Sequence, residues 1–168
     1  GVAVVRVGGV TEVEVKEKKE RVEDAYYATK AAIAEGIVPG GGSTLLYSSL
    51  ALKNLKGKND GEDAGIKIVK DALRAPISRI LKNAGIESAL IVEKLIEKGD
   101  KQYLHDVQKR EFNDAYKSGI IDPAKVVRIA LESATSAVML LITTEGAIVD
   151  ASNKEDKASS APSMPGGM

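Results

Sequence analysis

Cysteine is absent, so the chain has no disulfide framework and no thiolate metal site. A single histidine, His105, excludes a histidine-rich zinc site. There is no tryptophan, one phenylalanine, and aromatics are only 4% of the 168 residues. A base-stacking platform for nucleic acid has little to be built from. Nor is there an excess of charge of one sign: Lys plus Arg is 24 and Asp plus Glu is 24. That balance argues against a general nucleic-acid binder or an anionic-membrane binder, both of which need basic excess. The longest clean apolar run is Ala137 to Ile142, far too short to span a bilayer. What is present, 43% hydrophobic and 29% charged residues, is the profile of an ordinary soluble globular chain of one domain or one and a half.

The chain opens on Gly1 without a signal or transit pattern, and Val2 to Val7 already reads as a strand. A start inside an element leads us to expect a piece of a longer protein. At the other end, Ala158 to Met168 (ASSAPSMPGGM) is rich in Ser, Pro and Gly and cannot form a core, so disorder is expected over 151–168.

Val2 to Val7 ends at Gly8-Gly9, and Thr11 to Val15 alternates polar and apolar residues, which together predict a hairpin. From Lys16 the period changes. Val22, Ala25, Tyr26, Thr29, Ala32 and Ile33 recur at three and four residues, predicting a helix that stops at Gly36. Its polar face offers i,i+4 pairs of Lys16 with Glu20, Glu17 with Arg21 and Lys19 with Glu23. Pro39 to Gly42 breaks the chain, and Ser43 or Thr44 caps a helix running to about Asn54. Asp63 to Asn83 is helical in pattern with a kink or break at Pro76. Ser88 to Lys98 predicts a further helix, Gly99 to Asn113 admits a short hairpin, and Asp114 to Ser118 a helical turn. Asp122-Pro123 reads as a helix start, with Asp as N-cap and Pro at the first helical position. The helix after it is apolar around most of its circumference, so it is expected to be buried on most sides. Gly146 to Asp150 reads as a short strand. The fold class is therefore mainly α with minor β.

Chemistry is sparse. Gly40 to Gly42 opens a helix, and glycines there let a backbone approach a phosphate. No Lys-Ser/Thr follows to make a Walker A loop, so a plain loop and a nucleotide contact both remain open. Asp24 lies roughly 200° around the helix from Val22, opposite the apolar stripe. A solvated carboxylate is the simplest reading of it. Asp122 needs no role beyond capping. His105 beside Asp106 has no identifiable nucleophile, so a surface histidine is the better reading.

Four stretches nevertheless resemble the group I chaperonins, the GroEL family: VAVVRVGGVTEVEVKEKKERVEDA (Val2 to Ala25), ATKAAIAEGIVPGGG (Ala28 to Gly42), GIIDPAKVVRIAL (Gly119 to Leu131) and ITTEGAIVD (Ile142 to Asp150). They occur in the family's order and span nearly the whole chain, and the Gly-Gly-Met ending resembles the family's tail. The resemblance covers about the last third of such a protein. It implies that residues 1–2 end the apical domain. Residues 3–35 would then be the returning intermediate-domain segment and 36–150 the C-terminal part of the helical equatorial domain.

By the same resemblance, Asp24 is the catalytic aspartate that orients or activates the water attacking the γ-phosphate of ATP. Gly41 contacts nucleotide through its backbone, and Asp122 binds the ribose side. Asp106, Val107 and Gln108 align with the Asn-Ala-Ala stretch that flanks adenine. Here Asp replaces Asn, bulkier residues follow, and one residue is inserted upstream; some mitochondrial-type members also carry Asp. The implied cofactors are ATP and Mg2+, with the metal ligand mainly in the missing N-terminal part and none assigned here. The implied assembly is a stack of seven-membered homo-oligomeric rings. A co-chaperonin lid and unfolded polypeptides would bind through the missing apical domain, and no nucleic acid or membrane is involved. The implied location is the bacterial cytoplasm, or alternatively the mitochondrial matrix. A different class of function, a non-enzymatic helical assembly module whose Gly-rich segment is only a turn, is the alternative expectation.

Overall fold

Thr11 starts a helix where an extended segment is expected. In the computed structural model, which describes residues 1–149, helix α1 runs Glu12–Glu35. The Thr11 side chain accepts from the Glu14 N–H at 3.2 Å, and the Glu14 carboxylate reaches back to accept from the Val10 N–H at 2.8 Å. This is the reciprocal capping pattern, shifted by one residue. It corrects the expected hairpin: Thr11 to Val15 is the cap and first turn of α1, and residues 1–9 have no regular structure. A five-residue alternation has no partner strand here to satisfy its backbone, whereas the cap satisfies two donors locally. On the solvent face Glu17 pairs with Arg21, and Lys19 with Glu23 at 3.5 Å, as expected, and Lys18 joins Glu14 at 2.7 Å. The expected Lys16–Glu20 pair does not form. No residue of α1 is buried; even Ile33 is 83% exposed.

The glycine segment follows. Strand β1 (Ile37–Pro39) leads into α2 (Ser43–Ala51) and a single 3-10 turn at Leu52–Asn54. Neither Ser43 nor Thr44 caps α2. Gly42 holds the cap position without a side-chain bond, Ser43 is buried, and Thr44 donates to the Pro39 carbonyl at 2.7 Å. Asn59 caps α3 (Asp60–Ala72), accepting from the Glu62 N–H at 3.0 Å. The long helical pattern divides before Pro76, which sits in the first turn of α4 (Ala75–Asn83), where a missing N–H costs nothing. Next come α5 (Ser88–Lys98), a hairpin of β2 (Tyr103–Asp106) and β3 (Glu111–Asp114), a short α6 (Ala115–Ser118) capped by Asp114, β4 (Ile121–Pro123) and α7 (Ala124–Ile142). The strands form two antiparallel pairs, β1 with β4 and β2 with β3. The class is mainly α with minor β, as the sequence predicts.

One cluster holds these elements together: Leu46 of α2, Ile77 and Leu81 of α4, and Ile91, Val92 and Leu95 of α5. Tyr103, Val107 and Phe112 of the hairpin region pack against it, partly buried. The contacts divide the chain into two units, Gly1–Glu132 and Ser133–Met168, and the core and every strand lie in the first. Helix α7, expected to be buried on most sides, has no buried residue. Val126, Ile129, Val138, Met139, Leu140, Leu141 and Ile142 are exposed. Gly146 to Val149 lies outside any strand, and Asp150 and the expected disorder of 151–168 fall outside the described residues.

Candidate functional site

The β1–β4 ladder carries Asp122 on one strand, and the other strand leads three residues past Asp122's partner Val38 to Gly41. Val38 pairs with Asp122 and Pro39 with Ile121. The ladder continues through the Gly40 N–H, which donates to the Ile120 carbonyl at 2.9 Å, and the Ala124 N–H, which donates to the Gly36 carbonyl at 3.0 Å. Because the strand runs through Pro123, α7 begins only at Ala124. The expected N-cap role of Asp122 is therefore corrected. The residue before a proline is steered to extended backbone, and the ladder holds it there. Its carboxylate, half-buried, accepts no hydrogen bond among the described residues, and burial raises its pKa above the usual aspartate value.

Gly41 and Gly42 both have left-handed backbone, with φ of 64° and 78°. They differ in surroundings. A Cβ on Gly42 would lie 2.7 Å from the Ile77 backbone nitrogen, so Gly42 is required by the close approach of α2 to α4. A Cβ on Gly41 would find only the Ile120 Cγ2, at 4.0 Å. The space beside the Gly41 backbone is thus open, whereas that beside Gly42 is filled.

The three expected adenine neighbours divide. Asp106, 7% exposed, accepts from the Gln108 and Lys109 N–H groups at 2.9 and 3.1 Å and so builds the hairpin turn. Val107 packs on the core, and Gln108 is exposed. His105 is half-buried rather than a surface histidine. Its ring lies 4.9 Å from Phe112, its Nδ1 is buried without a partner, and burial lowers its pKa. Alternation along β2 sends it to the opposite face from Asp106, so the two form no acid–base pair.

Asp24 is exposed on α1, eleven positions before Glu35, hence about 16 Å along the axis from the end adjoining β1. The structure does not bring it to Gly41 and Asp122. Where α1 ends, Arg128 clamps Glu35 in bidentate fashion, at 2.7 and 3.1 Å, and also holds Glu132 at 2.9 Å, which lowers the Glu35 pKa.

Two features escape sequence reasoning because their partners are far apart in the chain. One is that Arg128 clamp. The other is Tyr47: its hydroxyl donates to the Tyr103 carbonyl at 2.6 Å, tying α2 to β2 across 56 residues. A cleft of about 320 Å³ lies between Val38, Tyr47 and Lys101 and another of about 470 Å³ between Leu52 and Val69, and none of the expected site residues lines either. No group of three His, Cys, Asp or Glu side chains that would hold a metal occurs among the described residues, and no helix there is long and apolar enough to cross a membrane.

The model of the TCP-1/cpn60 chaperonin family matches residues 1–152. A chaperonin GroEL of Wolbachia sp. subsp. Brugia malayi (strain TRS) is 58% identical over 161 residues, covering 96% of this chain and 29% of that protein. One from Neorickettsia sennetsu (strain ATCC VR-367 / Miyayama) is 56% identical over 167 residues, 99% of this chain and 30% of that protein. A crystal structure of a group III chaperonin in the open state superposes with a TM-score of 0.74 at 27% identity, covering 84% of this chain and 30% of that one. The chain thus spans under a third of the length of these relatives, and over that length it belongs to the TCP-1/cpn60 chaperonin family.

Proposed function

We propose that this chain is the C-terminal part of an ATP-hydrolysing group I chaperonin that assists protein folding in the bacterial cytoplasm. The observation that carries the reading is the β1–β4 ladder, which holds a partnerless, half-buried Asp122 carboxylate opposite Val38, whose strand leads into the open Gly41 backbone. A carboxylate in that state is relieved by hydroxyl donors such as those of a ribose, and an unobstructed left-handed glycine suits close approach of a phosphate chain. Gln108, and the turn that Asp106 builds, would border the base. The GroEL relatives from Wolbachia and Neorickettsia support the class and the bacterial setting.

Residues 1–2 would then end an apical domain, 3–35 belong to an intermediate domain and 36–150 to the equatorial ATP-binding domain. Asp24 is the proposed catalytic residue. Its place about 16 Å along α1 from the end adjoining β1 suits a group delivered by a domain swing, which completes the site and excludes water when it closes. There its carboxylate orients a water, whose oxygen attacks the γ-phosphorus as the bond to the β–γ bridging oxygen breaks. ADP and phosphate leave, and the carboxylate takes up or relays the water's proton. Positioning supplies most of the acceleration in such a reaction. The described residues hold no cluster fit for Mg2+, so its ligands are assigned to the part of the protein outside this chain and no step is drawn through it. Stacked seven-membered rings, a co-chaperonin lid and unfolded polypeptides are the partners this reading entails.

The test is Asp24→Ala in the full-length protein carrying this chain. Turnover is expected to fall by about two orders of magnitude or more while ATP affinity stays within a few-fold, the signature of a group acting in the transition state. Near-normal steady-state ATPase would sink the assignment.

A further inference from the structure

The hydroxyl of Tyr47 lies between the two segments that the nucleotide reading uses. Tyr47 is on the second turn of α2, the helix that begins at the Gly40–Gly42 loop. Its side chain is 5% exposed, and its hydroxyl donates to the Tyr103 carbonyl at 2.6 Å. Tyr103 begins β2, three residues before the Asp106 that builds the hairpin turn. The far side of Tyr103 is also held: its ring stacks on Phe112 at 5.8 Å and carries the Lys98 ammonium over its face. Elsewhere the hairpin rests on α5 and the core through apolar contacts, which are not directional. The Tyr47 bond is directional, and among the described residues it alone joins the hairpin's backbone by a hydrogen bond to the helix rising from the glycine loop. A cleft of about 320 Å³ between Val38, Tyr47 and Lys101 lies beside this bond.

The geometry points to Tyr47 as a positioning residue that fixes the Asp106–Gln108 turn relative to Gly41, and so sets how tightly the base of a bound nucleotide is held. The inference rests on the nucleotide reading above. The bond is made by the protonated phenol, which burial keeps protonated at any physiological pH. Deleting the hydroxyl frees the turn without emptying the ring's place in the core. The base end of the ligand then loses its fixed partner, while the phosphate end, held at Gly41, does not.

The experiment uses Tyr47→Phe in the full-length protein, with steady-state ATPase and calorimetric binding of Mg-ATP and of Mg-tripolyphosphate, which lacks base and ribose. Loss of one buried hydrogen bond is expected to raise KM for ATP by roughly two- to tenfold. The turnover number and the tripolyphosphate affinity are expected to stay unchanged. An unchanged KM for ATP overturns the inference. So does a parallel loss for both ligands, which marks a general structural role. A second measurement needs no variant: ATP binding to the wild-type protein is expected to slow amide exchange at Gln108 to Arg110, and unaltered exchange there overturns the inference as well. A wild-type protein that binds neither ATP nor tripolyphosphate refutes the nucleotide reading itself and this inference with it. A wild type that binds both, with a Tyr47→Phe variant identical to it, refutes only the inference.

Discussion

Burial, with the Asp100 carboxylate and Tyr103 nearby, pushes the Tyr47 phenol up to about 12. In an unfolded chain it titrates near 10, so the fold favours its protonated form. The stability that this contributes is fully present below pH 10 and is lost as pH rises from 10 to 12, a loss of about 2–3 kcal/mol. Urea melts across that range are expected to show a steeper alkaline decline in the wild type than in Tyr47→Phe; parallel declines would refute it. Asp122 has the same sign for a different purpose. Its pKa is raised by burial alone, so its stabilising form is the protonated one and the carboxylate present at neutral pH is a cost to the fold. Asp122→Asn is expected to raise the melting midpoint at pH 7 and leave it unchanged in strong acid. ATP affinity is expected to drop by roughly ten- to a hundredfold, since a charged acceptor is lost. Such exchange of stability for binding is what a functional carboxylate shows. A variant that binds ATP normally would leave Asp122 without the ribose role.

Two adjacent glycines separate structural from functional need at the scale of the element. Gly42→Ala adds a Cβ at 2.7 Å from the Ile77 nitrogen in a left-handed backbone, so it pushes α2 off α4. The backbone strain alone is about 1–2 kcal/mol, and the clash adds to it. Gly41→Ala meets open space and is expected to cost only that strain, while weakening nucleotide binding. Denaturant midpoints with ATP titrations separate the two; equal destabilisation would remove the distinction. Leu46 and Leu95, both 0% exposed, join α2 and α5 through the core, and either change to Ala is expected to cost about 2–5 kcal/mol. Much of this level is legible in the sequence. The helix at Ser88–Lys98, the break before Pro76, the possible hairpin near Gly99–Asn113 and the turn after Asp114 all depend on residues a few positions apart. The error at Thr11 has the same origin: a five-residue alternation and a capping pair overlap there, and the local hydrogen bonds prevail.

At the scale of the whole molecule, many large apolar side chains of the described residues are exposed. Tyr26 and Ile33 of α1 and Val126, Met139 and Leu140 of α7 are exposed. Surfaces of this kind on separate helices drive association unless another layer covers them. The 168-residue chain by itself is therefore expected to self-associate or bind a hydrophobic dye, and to bind Mg-ATP more weakly than micromolar with no phosphate release. Light scattering and calorimetric titration check both halves. A clean monomer that hydrolyses ATP would show that the chain needs no further part. The Arg128 clamp on Glu35 is exposed, so a Glu35→Gln change, which removes one charge, is expected to lower the denaturant midpoint only slightly, and less at high salt.

The sequence by itself determined which segments are helical, where glycine and proline interrupt them, and through its motifs the family. Periodicity, caps and turns are settled by neighbours within a few residues, which a linear reading contains. Only the tertiary structure decided that Asp122 is a partnerless carboxylate in a strand instead of a helix cap, because that depends on its pairing with Val38. The same holds for Asp106, spent on its own turn, for Tyr47, tied to a carbonyl on a distant strand, and for α7, apolar yet with no buried residue. Whether a polar group is satisfied or an apolar face is covered depends on which distant elements the burial of Leu46, Leu81 and Leu95 draws together. No local pattern specifies those pairings, since their free energy exists only once the core has formed.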